Sequence, residues 1–259
     1  MVPTASVVIM FLNAVLGFVL PVWLACWLVK KHHARIGTTL VGAGVFFVFA
    51  LLLEPILHQA VLKGPYGTAI TGNTWYYALY GGLAAGLFEE TGRFLGMKFL
   101  LKKEPDGPLP AVAYGVGHGG MEMLMIFGIT MISNIVVSLM INAGQVDTIL
   151  SAVPAETREQ VEGQFTKLQD LNAGLLLLGL WERISALILQ LGLSVIVWTA
   201  VRKGGKWLAL FPAAILLHAL VDSCAVVLSK SVSASAVEII IFSMAIAIGA
   251  AGYMLARKL

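Results

Sequence analysis

Apolar residues fall along this chain in long unbroken runs, not in the short alternating or every-third-residue patterns of soluble strands and helices. A helix needs roughly 20 apolar residues to cross about 30 Å of hydrocarbon. Seven stretches qualify: residues 5–29, 38–62, 74–101, 109–141, 173–201, 207–228 and 232–255. The fourth is longer than a straight crossing requires and is expected to tilt or protrude. The fifth and sixth are separated by Arg202-Lys203-Gly204-Gly205-Lys206, which reads as a tight basic turn. The pattern predicts an all-α fold, a polytopic membrane helix bundle of about seven transmembrane helices. No repeat, low-complexity tract or linker divides it, so residues 1–259 are expected to form a single integral membrane domain. The first run lacks a basic leader and a small-residue cleavage site, and reads as a retained helix.

Composition agrees. With 59% hydrophobic and 12% charged residues and a mean hydropathy of +0.89, an ordinary soluble domain is excluded. A net charge of +3 points to no nucleic-acid partner. Cys26 and Cys224 lie in separate apolar runs without CxxC spacing, which argues against a disulfide framework or thiolate metal site. Lysine and arginine set the orientation. Lys30, Lys31, Arg35, Lys98, Lys102, Lys103, Arg202, Lys203, Lys206, Arg257 and Lys258 fall on one side if seven spans alternate; Lys63, Arg158, Lys167 and Lys230 fall on the other. The expected arrangement is N-terminus outside and C-terminus cytoplasmic, in a bacterial cell membrane. The longest connection, residues 142–172, is then external. Pro154-Ala155-Glu156-Thr157 looks like a helix start, and Val161, Phe165 and Leu168 recur at helical spacing, so a short helix is expected there, packed on the outer ends of the spans.

Against this background the informative residues are those that do not belong in hydrocarbon. Each intramembrane charge is costly by a few kcal/mol and requires partners. The spans carry Glu54 and His58; Glu89, Glu90 and Arg93; His118 and Glu122; Glu182, Arg183 and Gln190; His218 and Asp222; and Glu238. At about 1.5 Å per residue, Glu89, Glu90, His118, Gln190 and His218 all lie roughly 14–18 Å from the basic end of their spans. Four spans thus bring polar groups to one level near the midplane. His118 and Glu122 are four apart, as are His218 and Asp222, so each pair shares a helix face. Arg93 stands four from Glu89 and three from Glu90, and can neutralise one of them, leaving the other free. The glycines around His118 allow close helix approach or room for a substrate and water. Glu182-Arg183 reads as a structural clasp, Glu54 and His58 as interfacial, and Glu238 as solvated.

Two imidazoles, several carboxylates and one arginine in a buried cavity suit hydrolysis. A glutamate can serve as general base on water, and histidines can polarise a carbonyl or hold a metal that activates the water. HxxxE and HxxxD both have spacing suited to zinc, though neither is the HExxH of soluble metalloproteases. A proton- or cation-coupled transporter is the alternative, with the same groups as a relay; the paired repeats and broken helices of such proteins are not evident in the sequence.

In this order, Glu89-Glu90-Thr91-Gly92-Arg93, His118-Gly119-Gly120-Met121-Glu122 and His218-Ala219-Leu220-Val221-Asp222 resemble the YhfC family of intramembrane proteases. That family is similar in motif order to the PrsW proteases and to the CAAX prenyl-protease and bacteriocin-processing group. The resemblance extends over most of the chain, including Trp181-Glu182-Arg183. It implies an intramembrane endopeptidase, of glutamic type or a metalloprotease, acting on a membrane-embedded or membrane-proximal polypeptide in the bilayer. Glu89 or Glu90 would activate water, with Arg93 paired to the other. His118, Glu122, His218 and Asp222 would line the same site, either as ligands of a divalent metal such as zinc or, with no metal, as oxyanion-stabilising and assisting groups. Where relatives in the wider group often carry a histidine, this chain has Gln190, which favours the metal-free form. The site is expected near the midplane, open to water from the cytoplasmic side.

Overall fold

Backbone polar groups in hydrocarbon find no partners but one another, so a chain this apolar satisfies them within helices. The computed structural model describes residues 1–259 and holds helices without strands. The long elements are α1 (Thr4–His32), α2 (Ile36–Leu62), α3 (Thr74–Leu95), α4 (Leu109–Asn142), the shorter α5 (Arg158–Asp170), α6 (Ala173–Lys203), α7 (Leu210–Leu228) and α8 (Ala234–Ala256). Six of these, α1, α2, α4, α6, α7 and α8, are long and apolar enough to span a membrane. The expectation of about seven is met by adding α3, whose 22 residues lie along α7. Its glutamates, Arg93 and the aromatic start Trp75-Tyr76-Tyr77 make it the least apolar of the set.

α6 carries apolar residues on every side, and a helix of that kind belongs at the centre of a bundle. Its most apolar stretch is 72% buried, against 17–28% for the other five. It packs on α8, α4, α7, α1 and α3. The perimeter presents Val8, Phe11, Val15 and Val19 of α1 and Ile239, Ile246 and Tyr253 of α8 outward, as a lipid-facing surface requires. The connection between α4 and α6 behaves as its periodicity predicts: Phe165 and Leu168 of α5 are buried against Val2, Met10, Ile141 and Leu176. Asn142 holds the chain start to the same end, accepting from the Val2 N–H at 2.7 Å and donating to the Val2 carbonyl at 2.9 Å.

Two close crossings position the chemistry. A Cβ on Gly86 would stand 2.6 Å from the Ile215 carbonyl oxygen, so only glycine lets α3 lie this close to α7. A Cβ on Gly117 would stand 1.8 Å from the Thr39 carbonyl oxygen, where α4 meets α2. The glycines around His118 therefore serve helix approach: Gly115 faces Leu191, Gly119 faces Gln190 and Gly120 faces Pro21, which leaves no room for a substrate on that side. Gly117→Ala is expected to cost about 1–3 kcal/mol by overpacking, read as a lower Tm in detergent. Gly44→Ala, with nothing within 4 Å of its added Cβ, is the control and should leave Tm unchanged or raise it.

Three helices are widened by π turns: Phe47–Leu53 in α2, Gly96–Leu100 continuing α3, and Met123–Gly128 in α4. Such turns gather at functional sites. Here one immediately precedes Glu54 and another immediately follows Glu122.

Candidate active site

Glu89 and Glu90 are adjacent on α3 and therefore point in different directions, which divides their partners. Glu90 faces inward and is fully buried, as is Arg93. Its Oε2 is ion-paired to Arg93 Nε at 3.4 Å, and its Oε1 meets His218 Nδ1 of α7 at 2.9 Å. Glu89 is 7% exposed and lines a cavity of about 500 Å³. Its Oε2 meets His118 Nε2 of α4 at 2.9 Å and accepts from Gln190 Nε2 of α6 at 3.0 Å. Its Oε1 makes no hydrogen bond and is not occluded. With both glutamates as carboxylates, which only accept, the facing nitrogens His118 Nε2 and His218 Nδ1 carry the protons.

The remaining groups complete a continuous network. Gln190 Nε2 also donates to Glu122 Oε2 at 2.8 Å, while Arg183 Nη1 donates to Glu122 Oε1 at 3.0 Å. Arg183 is further bonded to Glu182. Arg93 donates to the Gln190 side-chain oxygen, to the Gln190 carbonyl at 3.1 Å and to Ser194 Oγ at 3.2 Å. His218 Nε2 faces the cavity, 3.6 Å from Asp222 Oδ2. His118 is walled by Phe46 and Tyr114, with ring centroids 5.1 and 5.9 Å away, and reaches the cavity only through Glu89. Glu89, Glu90, Arg93, His118, Glu122, His218 and Asp222 are thus all joined, directly or through Gln190, around one cavity.

Several sequence expectations change. The cavity does not open toward the basic end of the bundle. Its walls run from Glu89, Gln190 and His218 to Glu54 and His58 near the end of α2, Ser229 just past α7, and Glu238 near the start of α8. That is the end where the chain begins. The basic half is filled by Tyr114, Met97, Leu193 and Trp198, all fully buried, with Trp198 Nε1 donating to the Gly107 carbonyl. Access from the side expected to be cytoplasmic is therefore closed by packing. Glu54 and His58 are not merely interfacial: His58 Nε2 lies 3.1 Å from Glu54 Oε1, its Nδ1 lies 2.8 Å from Tyr80 Oη, and both side chains line the cavity. Glu182, Arg183 and Glu238 line it too, and Glu238 Oε2 is occluded without a partner. Depth along a single helix gave the level of these residues but not their azimuth, so their shared wall was not visible in the sequence.

Zinc ligands at about 2.0–2.1 Å in tetrahedral array stand about 3.3 Å from one another. His118 Nε2 and Glu89 Oε2 are instead in direct hydrogen bond at 2.9 Å, and His218 Nδ1 is committed to Glu90. No three His, Cys, Asp or Glu side chains converge to hold an ion. As packed, these residues do not fit a metal centre.

No solved structure matches the chain. Its sequence is 38% identical over 248 residues to the uncharacterized membrane protein YhfC of Bacillus subtilis (strain 168), covering 93% of both chains. The family model described as YhfC intramembrane metalloprotease matches residues 16–242, a stretch that holds every residue of the network above. This integral membrane protein belongs to the YhfC family.

Proposed function

We propose that the chain is an intramembrane endopeptidase of the glutamic type, working as a single domain in a bacterial cell membrane, with Glu89 as general base. One observation carries the reading: Glu89 alone among the central carboxylates has one oxygen held by two donors and the other free toward the cavity. Glu122 has both oxygens hydrogen-bonded, and Glu90, which does not line the cavity, has Oε1 bonded to His218 and Oε2 occluded against Arg93. Water bound at Glu89 Oε1 gives up a proton to it as the water oxygen bonds to the scissile carbonyl carbon. As an imidazolium, His218 donates Nδ1–H to Glu90 and turns Nε2–H to the cavity, where it stabilises the oxyanion, with Asp222 balancing the charge of the ring. The protonated Glu89 then delivers its proton to the departing amide nitrogen as the C–N bond breaks. Glu122 orients Gln190, and His118 orients Glu89.

The positive-inside pattern supports an external N-terminus, and hence a cavity opening on the outer face. The substrate is a polypeptide segment lying in or against the bilayer at that face. The test is cleavage of a membrane-peptide library by the purified protein in liposomes, with cut sites read by mass spectrometry. Proton-coupled uptake that survives Glu89→Gln, without cleavage, would favour a transporter instead. The reading also sets an expectation for metal: the purified protein should hold less than one equivalent of zinc, and chelation should leave cleavage unchanged. Loss of cleavage on chelation, restored by zinc, would refute a metal-free reaction.

A further inference from the structure

Gln190 is buried in the central helix, 2% exposed, and every polar atom of its side chain is used. An amide can be turned either way round, but here its neighbours decide. Arg93 is a donor only, so the atom facing it must be the carboxamide oxygen. The amide nitrogen is thereby forced toward Glu89 and Glu122, which only accept, and its two hydrogens reach Glu89 Oε2 at 3.0 Å and Glu122 Oε2 at 2.8 Å. Arg93 is itself held: Ser194 Oγ, at 3.2 Å, in turn donates to the Gln190 carbonyl at 2.7 Å. On the far side the stem of Gln190 lies against Gly119, where an added Cβ would come within 3.0 Å of it, so the side chain has little freedom to swing.

We infer that Gln190 is a positioning residue: locked by Arg93, it holds Glu89 and Glu122 together and selects Oε1 of Glu89 as the atom that takes the proton from water. The inference rests on the protease reading and deepens it. A carboxamide oxygen is the only atom of glutamine suited to bind a cation, and Arg93 has claimed it. The position therefore works here as a hydrogen-bond donor. His118 alone would leave Glu89 hinged about one hydrogen bond; the second donor, from a different helix, fixes the plane of the carboxylate.

The experiment compares kcat and KM, with Tm beside them, for wild type, Gln190→Glu, Gln190→Leu, Arg93→Lys and Arg93→Lys/Gln190→Leu on a peptide that wild type cleaves, at pH 8. Gln190→Glu keeps the volume and the acceptor for Arg93 but replaces the donor with an oxygen facing two carboxylates. Positioning predicts that kcat falls about 10–100-fold in Gln190→Leu with KM within about twofold, and at least as far in Gln190→Glu. It also predicts that Gln190→Leu adds no further loss to Arg93→Lys, the signature of residues acting as a unit. A space-filling role predicts the reverse order, with the isosteric glutamate milder than leucine, and additive losses. Wild-type kcat in Gln190→Glu, while Glu89→Gln is inactive, overturns the inference alone. No cleavage by the wild-type protein overturns the protease reading and the inference with it.

Discussion

Glu89→Gln is expected to lower kcat by about 10²–10⁴-fold, the range lost with a general base, without unfolding the bundle. The geometry makes this substitution unusually clean. His118 Nε2 and Gln190 Nε2 both meet Glu89 Oε2, so the new amide will keep its oxygen there and place its NH₂ where the free Oε1 had been. The hydrogen bonds that hold α3 to α4 and α6 are retained, while the proton acceptor is replaced by a donor. Tm in detergent should therefore stay close to wild type as kcat collapses and KM moves little. Glu122→Gln also removes a cavity carboxylate, but one whose oxygens are already held by Arg183 and Gln190, so its loss in kcat should be the smaller. A Glu89→Gln protein that still cleaves within tenfold of wild type would rule Glu89 out as the base.

The second large effect concerns stability. Arg93→Met is expected to destabilise the protein by about 3–5 kcal/mol, the cost of breaking a buried pair from one side. Arg93 and Glu90 are both fully buried, 3.4 Å apart. Removing the guanidinium strands the Glu90 carboxylate and also leaves the Gln190 side-chain oxygen and Ser194 Oγ without the donor that Arg93 supplies. Removing the charge from both partners is the informative comparison. Arg93→Met/Glu90→Gln should recover part of the loss, because an amide can still serve His218 and no unpaired charge remains. Unfolding in a denaturing detergent titration gives the four stabilities of the cycle. If the double variant is no more stable than Arg93→Met, the pair is not the source of the penalty.

Much of this architecture was legible in the sequence because the membrane enforces simple rules. Runs of sufficient length give the helices nearly to their ends, and α5 follows from Phe165 and Leu168. The depth of Glu89, Glu90, His118, Gln190 and His218 was legible because rise per residue is fixed, and their meeting followed from depth. What depth could not supply was azimuth. Which of Glu89 and Glu90 faces the cavity depends on how closely α3 lies on α7, and that is settled by Gly86 against Ile215. The side on which the cavity opens is hidden for a related reason: the basic residues mark one end of the bundle, but access is decided by where bulky side chains such as Tyr114 and Trp198 close the core. Taken one helix at a time, Glu54, His58, Arg183 and Glu238 are surface or clasp residues, whereas in the bundle they line one cavity.

The wide turn at Met123–Gly128 gives α4 one more residue than a regular helix would need over that stretch. Everything after it is thereby rotated by about 100° relative to everything before, the angle one residue subtends in an α-helix. His118 and Glu122 lie upstream of the turn, while Asn142, which grips Val2, lies downstream. The turn is thus a phase adjuster between two separately constrained ends of one rod: the upstream half is keyed to α2 and α6, the downstream half to α1 and α5. Winding the turn into regular helix without removing a residue would swing the far end out of phase, whereas deleting Ile126 removes the surplus residue and should restore regular winding with both ends still in register, leaving the start of the chain and α5 as protected from proteases as in the wild type.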